Sequence, residues 1–192
     1  MVLRTDSRRR MLDSAAELFR AQGYHATGLT QLVAAGGAPK GSLYFHFPGG
    51  KEQLAAEAVR LSGRRTGEVL QAVAAAAPDP ASAVSGIVDT LAAALADSDF
   101  RLGCPLATVA LEASAGSPAI REACEEGYAY WQAGLVEYFT TAGLPAERAD
   151  PLATVVLAAI EGALLLAKTR HDVAPLRAIA THLRTTVERE FS

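Results

Sequence analysis

Between Ser7 and Gln22 the apolar positions Met11, Ala15, Leu18 and Phe19, joined by Leu12 and Ala16, recur every three or four residues and share one helical stripe. Gly23 follows, where a helix commonly ends in a left-handed residue. A second helix is expected from Thr27, whose side-chain oxygen suits an N-cap, with Leu29, Leu32 and Val33 facing inward and Gly36-Gly37 as the stop. A third begins at Pro39, whose missing N–H costs nothing in a first turn, and ends by Phe47-Pro48-Gly49-Gly50. The fourth runs from Lys51 to Ala77, where Pro78-Asp79-Pro80 breaks it.

Similar punctuation continues. Pro80 to Asp97 reads as one helix, and a short one follows Gly103-Cys104-Pro105 and stops at Ala115-Gly116. Ser117-Pro118 opens a long amphipathic helix with Ile120, Cys124, Tyr128, Trp131 and Leu135 in register, followed by Tyr138 or Phe139, and Gly143 closes it. The last two span Ala146–Thr169 and Val173–Glu190. About a fifth of the 192 residues are alanine and alternating β-branched runs are missing, so the fold class is all-α with about nine helices.

Charge changes the picture. The net value of −3 argues against a polyanionic partner, but its distribution does not. Residues 1–51 hold seven basic residues (Arg4, Arg8, Arg9, Arg10, Arg20, Lys40, Lys51) against three acids (Asp6, Asp13, Glu17), a surplus of +4 that leaves −7 for the remainder. A basic module attached to an acidic body is the pattern of a reader of nucleic acid joined to a part that does something else.

Three short helices with a glycine turn between the second and third make a helix-turn-helix, in which the third lies in the major groove of DNA. Leu43 and Phe47, four apart, would face a core with Leu32 and Phe19, which turns Lys40 and Tyr44 outward. Gly41 lacks a Cβ and permits close approach to a duplex. Ser42 and the Thr27 hydroxyl can bond phosphate oxygens, as can backbone N–H groups at helix starts. Phe45 has two readings, contact with a thymine methyl or packing against the fourth helix, and the second is preferred.

The stretch Gly23–Val59, "GYHATGLTQLVAAGGAPKGSLYFHFPGGKEQLAAEAV", resembles the N-terminal domain of the TetR-type transcriptional repressors. Its "GAPKGSLYFHFPGGKEQL" wording is similar to the LmrA/YxaF-like branch. The resemblance implies phosphate or base contacts from Thr27, Gly28, Lys40, Gly41, Ser42, Tyr44, His46 and Lys51. Gly28 stands where serine is frequent in that family, and Pro39 replaces a residue that often offers a donor. The implied organisation is a helix-turn-helix DNA-binding domain over residues 1–50 and a helical effector-binding and dimerisation domain over 51–192. "GCPLATVALE" (Gly103–Glu112) extends the similarity more weakly.

Within the acidic remainder, small residues Ala158, Ala159, Gly162 and Ala163 on the eighth helix permit close crossing, and Leu176, Ile179, Leu183 and Val187 stripe the ninth. These two helices are expected to pair a homodimer as a four-helix bundle, the alternative being that they complete the monomer's own core. Cys104, Thr108, Glu112, Tyr128 and Trp131 are candidate lining for a small, largely apolar effector, against the reading that the aromatic stripe is core. Glu161 stands open between a ligand group and a partner of Arg170 or a backbone donor.

Several classes are excluded or disfavoured. Cys104 and Cys124 form no CxxC and have no histidine at ligand spacing, so no metal site is expected, and their pairing is open. His25, His46, His171 and His182 are scattered, and no Ser/His/Asp grouping, nucleotide loop or paired carboxylate appears. No catalytic residue and no cofactor is therefore expected. The apolar stretch Leu152–Ala167 is about a turn short of a ~20-residue span and contains Glu161, so it reads as a buried helix in a cytoplasmic protein without a membrane partner. The expectation is a ligand-responsive DNA-binding regulator, a repressor on a palindromic operator. A helical small-molecule-binding protein or enzyme that keeps the helix-turn-helix as scaffold is the alternative.

Overall fold

Glycine and proline set the helix ends. The computed structural model describes residues 2–37 and 41–192, with backbone alone for residues 2–6. The described residues form nine helices and no strand: α1 (Val2–Ala26), α2 (Leu29–Ala35), α3 (Ser42–His46), α4 (Gly50–Ala75), α5 (Pro80–Asp97), α6 (Ala107–Ala113), α7 (Pro118–Thr141), α8 (Ala146–Arg170) and α9 (Ala174–Glu190). Asp79 caps α5, its Oδ1 accepting from the Ser82 N–H at 2.8 Å. α7 closes as expected at Gly143, with the Leu144 N–H reaching back to the Phe139 carbonyl at 3.0 Å.

Two helix ends differ from expectation. α1 is broken at Gly23, yet not in the left-handed helical region. Its φ of 82° and ψ of 178° lie in a region essentially restricted to glycine, after which residues 24–26 add one more turn. Thr27 is not the N-cap of α2; Gly28 is, without a side-chain bond. The Thr27 side chain is fully buried, its hydroxyl donating to the Gly23 carbonyl at 2.7 Å and accepting from Gln22 Nε2 at 3.2 Å. The Gly23 kink folds that carbonyl back within reach, and the hydroxyl is consumed there. The expected start of the third helix at Pro39 lies outside the described residues.

The chain packs as two compact units, Met1–Arg64 with Cys104–Tyr128, and Arg65–Gly103 with Ala129–Ser192. Packing thus groups α4 up to Arg64, α6 and the start of α7 with the N-terminal helices, whereas the expected domain boundary lies between residues 50 and 51. The core of the first unit contains Met11, Ala15, Phe19, Leu32, Leu43, Phe47 and Leu54, each essentially inaccessible to solvent. Arg8 pairs with Glu57 and stacks over the Phe47 ring, 4.9 Å from its centroid. α4 is tied to the residue just before α7 by Glu52, which accepts from the Ser117 hydroxyl, and to α7 by Arg60, whose Nε and Nη2 donate to Glu126 at 2.6 and 3.0 Å. That pairing holds the Glu126 carboxyl below the ordinary carboxylate range.

In the second unit α9 packs on α5 and α8. Leu176, Leu183 and Val187 are buried there and Ile179 is half-buried, so most of the α9 stripe packs into the core of its own unit. α8 is different. It buries Leu152, Val156, Ile160 and Leu164 on one side, while Val155, Ala158, Gly162, Leu165 and Leu166 are exposed on another. At 25 residues it exceeds the expected apolar stretch and, by length and composition alone, is long enough to cross a membrane.

Candidate nucleic-acid interface

The glycine pair between α2 and α3 has two separate functions. A Cβ on Gly36 would stand 3.0 Å from the Met11 Cα, so its absence lets the end of α2 lie against α1. Gly37 has open space around it but a φ of 60°, and its N–H donates to the Ala34 carbonyl at 3.1 Å. Ser14 adds a tie between the helices, its hydroxyl donating to the Ala35 carbonyl at 3.1 Å. The turn is thus fixed by contact on one residue and by handedness on the next.

α3 is short enough for its two sides to be assigned residue by residue. Leu43 and Phe47 are buried at 1 % and 0 % exposure, with Leu32 and Phe19 in the same core, as the spacing predicts. Tyr44 and Phe45 face outward at 58 % and 59 %. Phe45 therefore does not have its ring buried against α4, contrary to the preferred reading. At about 100° of rotation per residue, position 45 stands about 200° from both 43 and 47 and so falls on the opposite side of the turn. The His46 ring is half-buried, edge-on to Phe45 at 5.1 Å.

Gly41 has an ordinary φ of −77° and no atom within 4 Å of where a Cβ would lie, so neither backbone strain nor internal packing requires glycine there. Gly28 has equally open surroundings. Ser42 is half-buried at the start of α3. Lys51, in the first turn of α4, holds its Nζ 4.3 Å from the Tyr24 ring centroid. Burial lowers its pKa from the ordinary lysine value, and the nearby Glu112 charge opposes that shift. Of the eight candidate DNA contacts, the structure brings Gly28, Gly41, Ser42, Tyr44, His46 and Lys51 to the helices α2, α3 and the start of α4. The Thr27 hydroxyl is turned inward, and Lys40 lies outside the described residues.

The candidate effector residues divide between the two units. In the first, Cys104 Sγ accepts from the Ala107 N–H at 3.4 Å and lies 4.0 Å from Tyr128 Oη. Thr108 donates its hydroxyl to the Cys104 carbonyl at 2.9 Å. Trp131 is buried in the second unit. Cys104 and Cys124 are not joined in a disulfide, and burial pushes the Cys124 thiol up to about 11. Glu112 is committed elsewhere: its Oε2 accepts from the His25 backbone N–H at 2.8 Å, at the end of α1. That partner lies 87 residues upstream and left no signal in the sequence pattern. No group of three or more metal-ligating side chains occurs among the described residues.

Residues 11–58 match the family model described as bacterial regulatory proteins of the tetR family, and residues 80–182 match that of the LmrA/YxaF-like transcriptional regulator C-terminal domain. The HTH-type transcriptional regulator LmrA of Bacillus subtilis is 39 % identical over 184 residues, covering 96 % of this chain and 98 % of that one. YxaF of the same organism is 36 % identical over 190 residues, 99 % of this chain and 100 % of its own. A TetR transcriptional regulator from Chloroflexus aurantiacus superposes with a TM-score of 0.83 at 27 % identity, covering 98 % of each chain. The CifR cysteine mutant, solved with 26-bp operator DNA, shares the fold with a TM-score of 0.79 at 23 % identity over 93 % of this chain and 95 % of that one. The chain belongs to the TetR family of transcriptional regulators, in its LmrA/YxaF-like branch.

Proposed function

We propose that the chain is a cytoplasmic, homodimeric repressor that binds a palindromic operator through α3 and is released by a small, largely apolar effector. The observation that carries this reading is the two-sidedness of α3, with Leu43 and Phe47 locked in the core while Tyr44 and Phe45 face out beside Gly41. The base edges of a major groove would meet the outward side. The Tyr44 and Ser42 hydroxyls and the Lys51 ammonium would bond phosphates, and Gly28 and His46 would line the same surface. The basic surplus of residues 1–51, which includes Lys40, supplies the sequence-independent attraction.

Two copies are needed because a single reader recognises only a short half-site. The exposed apolar residues of α8 support pairing there: Val155, Ala158, Gly162, Leu165 and Leu166 form a strip in which glycine and alanine allow close helix crossing. α9 would assist with its outer face, since its apolar stripe is occupied within the unit. Paired readers would then sit one DNA turn apart, ~34 Å. Cys104, Thr108 and Tyr128 are the side chains favoured for the effector. An effector acts by binding better to the arrangement in which the readers do not match that spacing. Selection of bound duplexes from a random pool tests the reading. The expected product is a palindrome with half-sites about one helical turn apart, and recovery of no enriched duplex at low salt would refute it.

A further inference from the structure

Glu112, the sixth of the seven residues of α6, reaches into the break in α1. Two residues after the mirror-region backbone of Gly23, the His25 N–H donates to Glu112 Oε2 at 2.8 Å. The His25 ring returns the contact, its Nε2 lying 3.1 Å from the Glu112 carbonyl oxygen. The carboxylate rests so closely on Gly23 that any Cβ there would overlap both of its oxygens. A side chain at position 23 would push this carboxylate aside. The same charge acts on Lys51, whose ammonium covers the ring of Tyr24, the residue next to the break.

These contacts converge on the α1–α2 junction. Gly23 gives its carbonyl to the Thr27 hydroxyl, and Gly28, the next residue, caps α2. A carboxylate that holds residues 23–25 therefore sets where α2 begins, and α2 braces α3. We propose that Glu112 is a positioning residue for DNA binding: from α6 it fixes the α1–α2 junction by accepting the His25 N–H hydrogen bond and keeps the reader in its binding geometry. This rests on the DNA-binding reading above and adds a residue that touches no DNA.

The test uses the full-length protein with Glu112→Ala, Glu112→Gln and Glu112→Asp, read by duplex affinity at fixed salt, thermal midpoint and exchange of the His25 amide. Gln keeps an acceptor at the right distance. Asp keeps the charge but falls one methylene short. Expected are faster His25 exchange and about tenfold weaker binding for Ala and Asp, the effect of one lost hydrogen bond. Gln should bind within about threefold of wild type, and the midpoint should change little in all three, because the Glu112 carboxylate sits at the surface. Faster exchange with unchanged affinity in Ala or Asp would overturn the proposal. Equal losses in Gln and Ala would also overturn it, because the charge alone would then be acting. Should the Ala variant fail to fold, the contrast between Gln and Asp decides by the same criterion. A wild-type chain that retains no duplex would defeat the DNA reading itself, a different result from variants that match a binding wild type.

Discussion

Neighbouring residues of α3 should respond to substitution in opposite ways. Leu43 is 1 % exposed, and Leu→Ala at such a site costs about 2–5 kcal/mol from lost burial and the cavity left behind. For a chain of this size that corresponds to a fall of roughly 5–15 °C in thermal midpoint. Tyr44 is 58 % exposed, and Tyr44→Phe keeps the ring that lies against Gly50, with Cε1 3.3 Å from where a Cβ on Gly50 would be. Its stability should therefore change by less than about 0.5 kcal/mol. On the proposed assignment the missing hydroxyl would remove one hydrogen bond to a charged phosphate oxygen, worth about 1.5–3 kcal/mol, which is roughly a 10- to 150-fold loss of affinity. Fluorescence anisotropy on a duplex recovered by selection measures the binding, and scanning calorimetry the stability. Because no charge is removed, the slope of affinity against salt should stay at its wild-type value. Binding within twofold of wild type for Tyr44→Phe would refute the assignment of the outward side. An undisturbed midpoint for Leu43→Ala would refute that of the inward side.

Three further outcomes follow from the same structure. Gly41→Ala, placed in open space with an ordinary φ, should leave the midpoint nearly unchanged while weakening duplex binding through its methyl; equal binding would mean that the glycine serves no close approach. Leu165→Glu, on the exposed side of α8, should convert a dimer to a monomer in light scattering and reduce operator affinity with it, and a persistent dimer would move the interface elsewhere. Cys124, with its thiol pushed up to about 11, should stay protonated at pH 8 and resist iodoacetamide in the folded protein. Mass spectrometry showing labelling at the rate of an exposed thiol would contradict its burial.

Much of the fold was readable from punctuation. Pro80, Pro118 and Gly143 set helix ends within a residue or two, because each removes a donor or supplies a backbone conformation that other residues resist. The inward side of α3 was also legible, since spacing alone puts Leu43 and Phe47 together. What spacing cannot say is which neighbour covers a stripe. The α9 stripe fits a partner surface or the monomer's own core equally well by spacing, and α5 and α8 bury its Leu176, Leu183 and Val187. Thr27 shows a second limit: a threonine before a helix is a cap only if its hydroxyl faces the helix, and here the Gly23 carbonyl captures it. Glu112 shows a third, because its bond to His25 depends on a mirror-region backbone far upstream, which no local pattern announces.

The adjacent glycines after α2 would not tolerate the same replacements. Asparagine visits positive φ more readily than other side-chain-bearing residues, so Gly37→Asn should be accepted with little adjustment. At Gly36 asparagine would fare no better than alanine, because the obstacle is the main chain of α1 near Met11, which cannot rotate away. A library randomised at both codons and sorted for folded protein should therefore return glycine alone at the first position and a mixture of glycine and asparagine at the second.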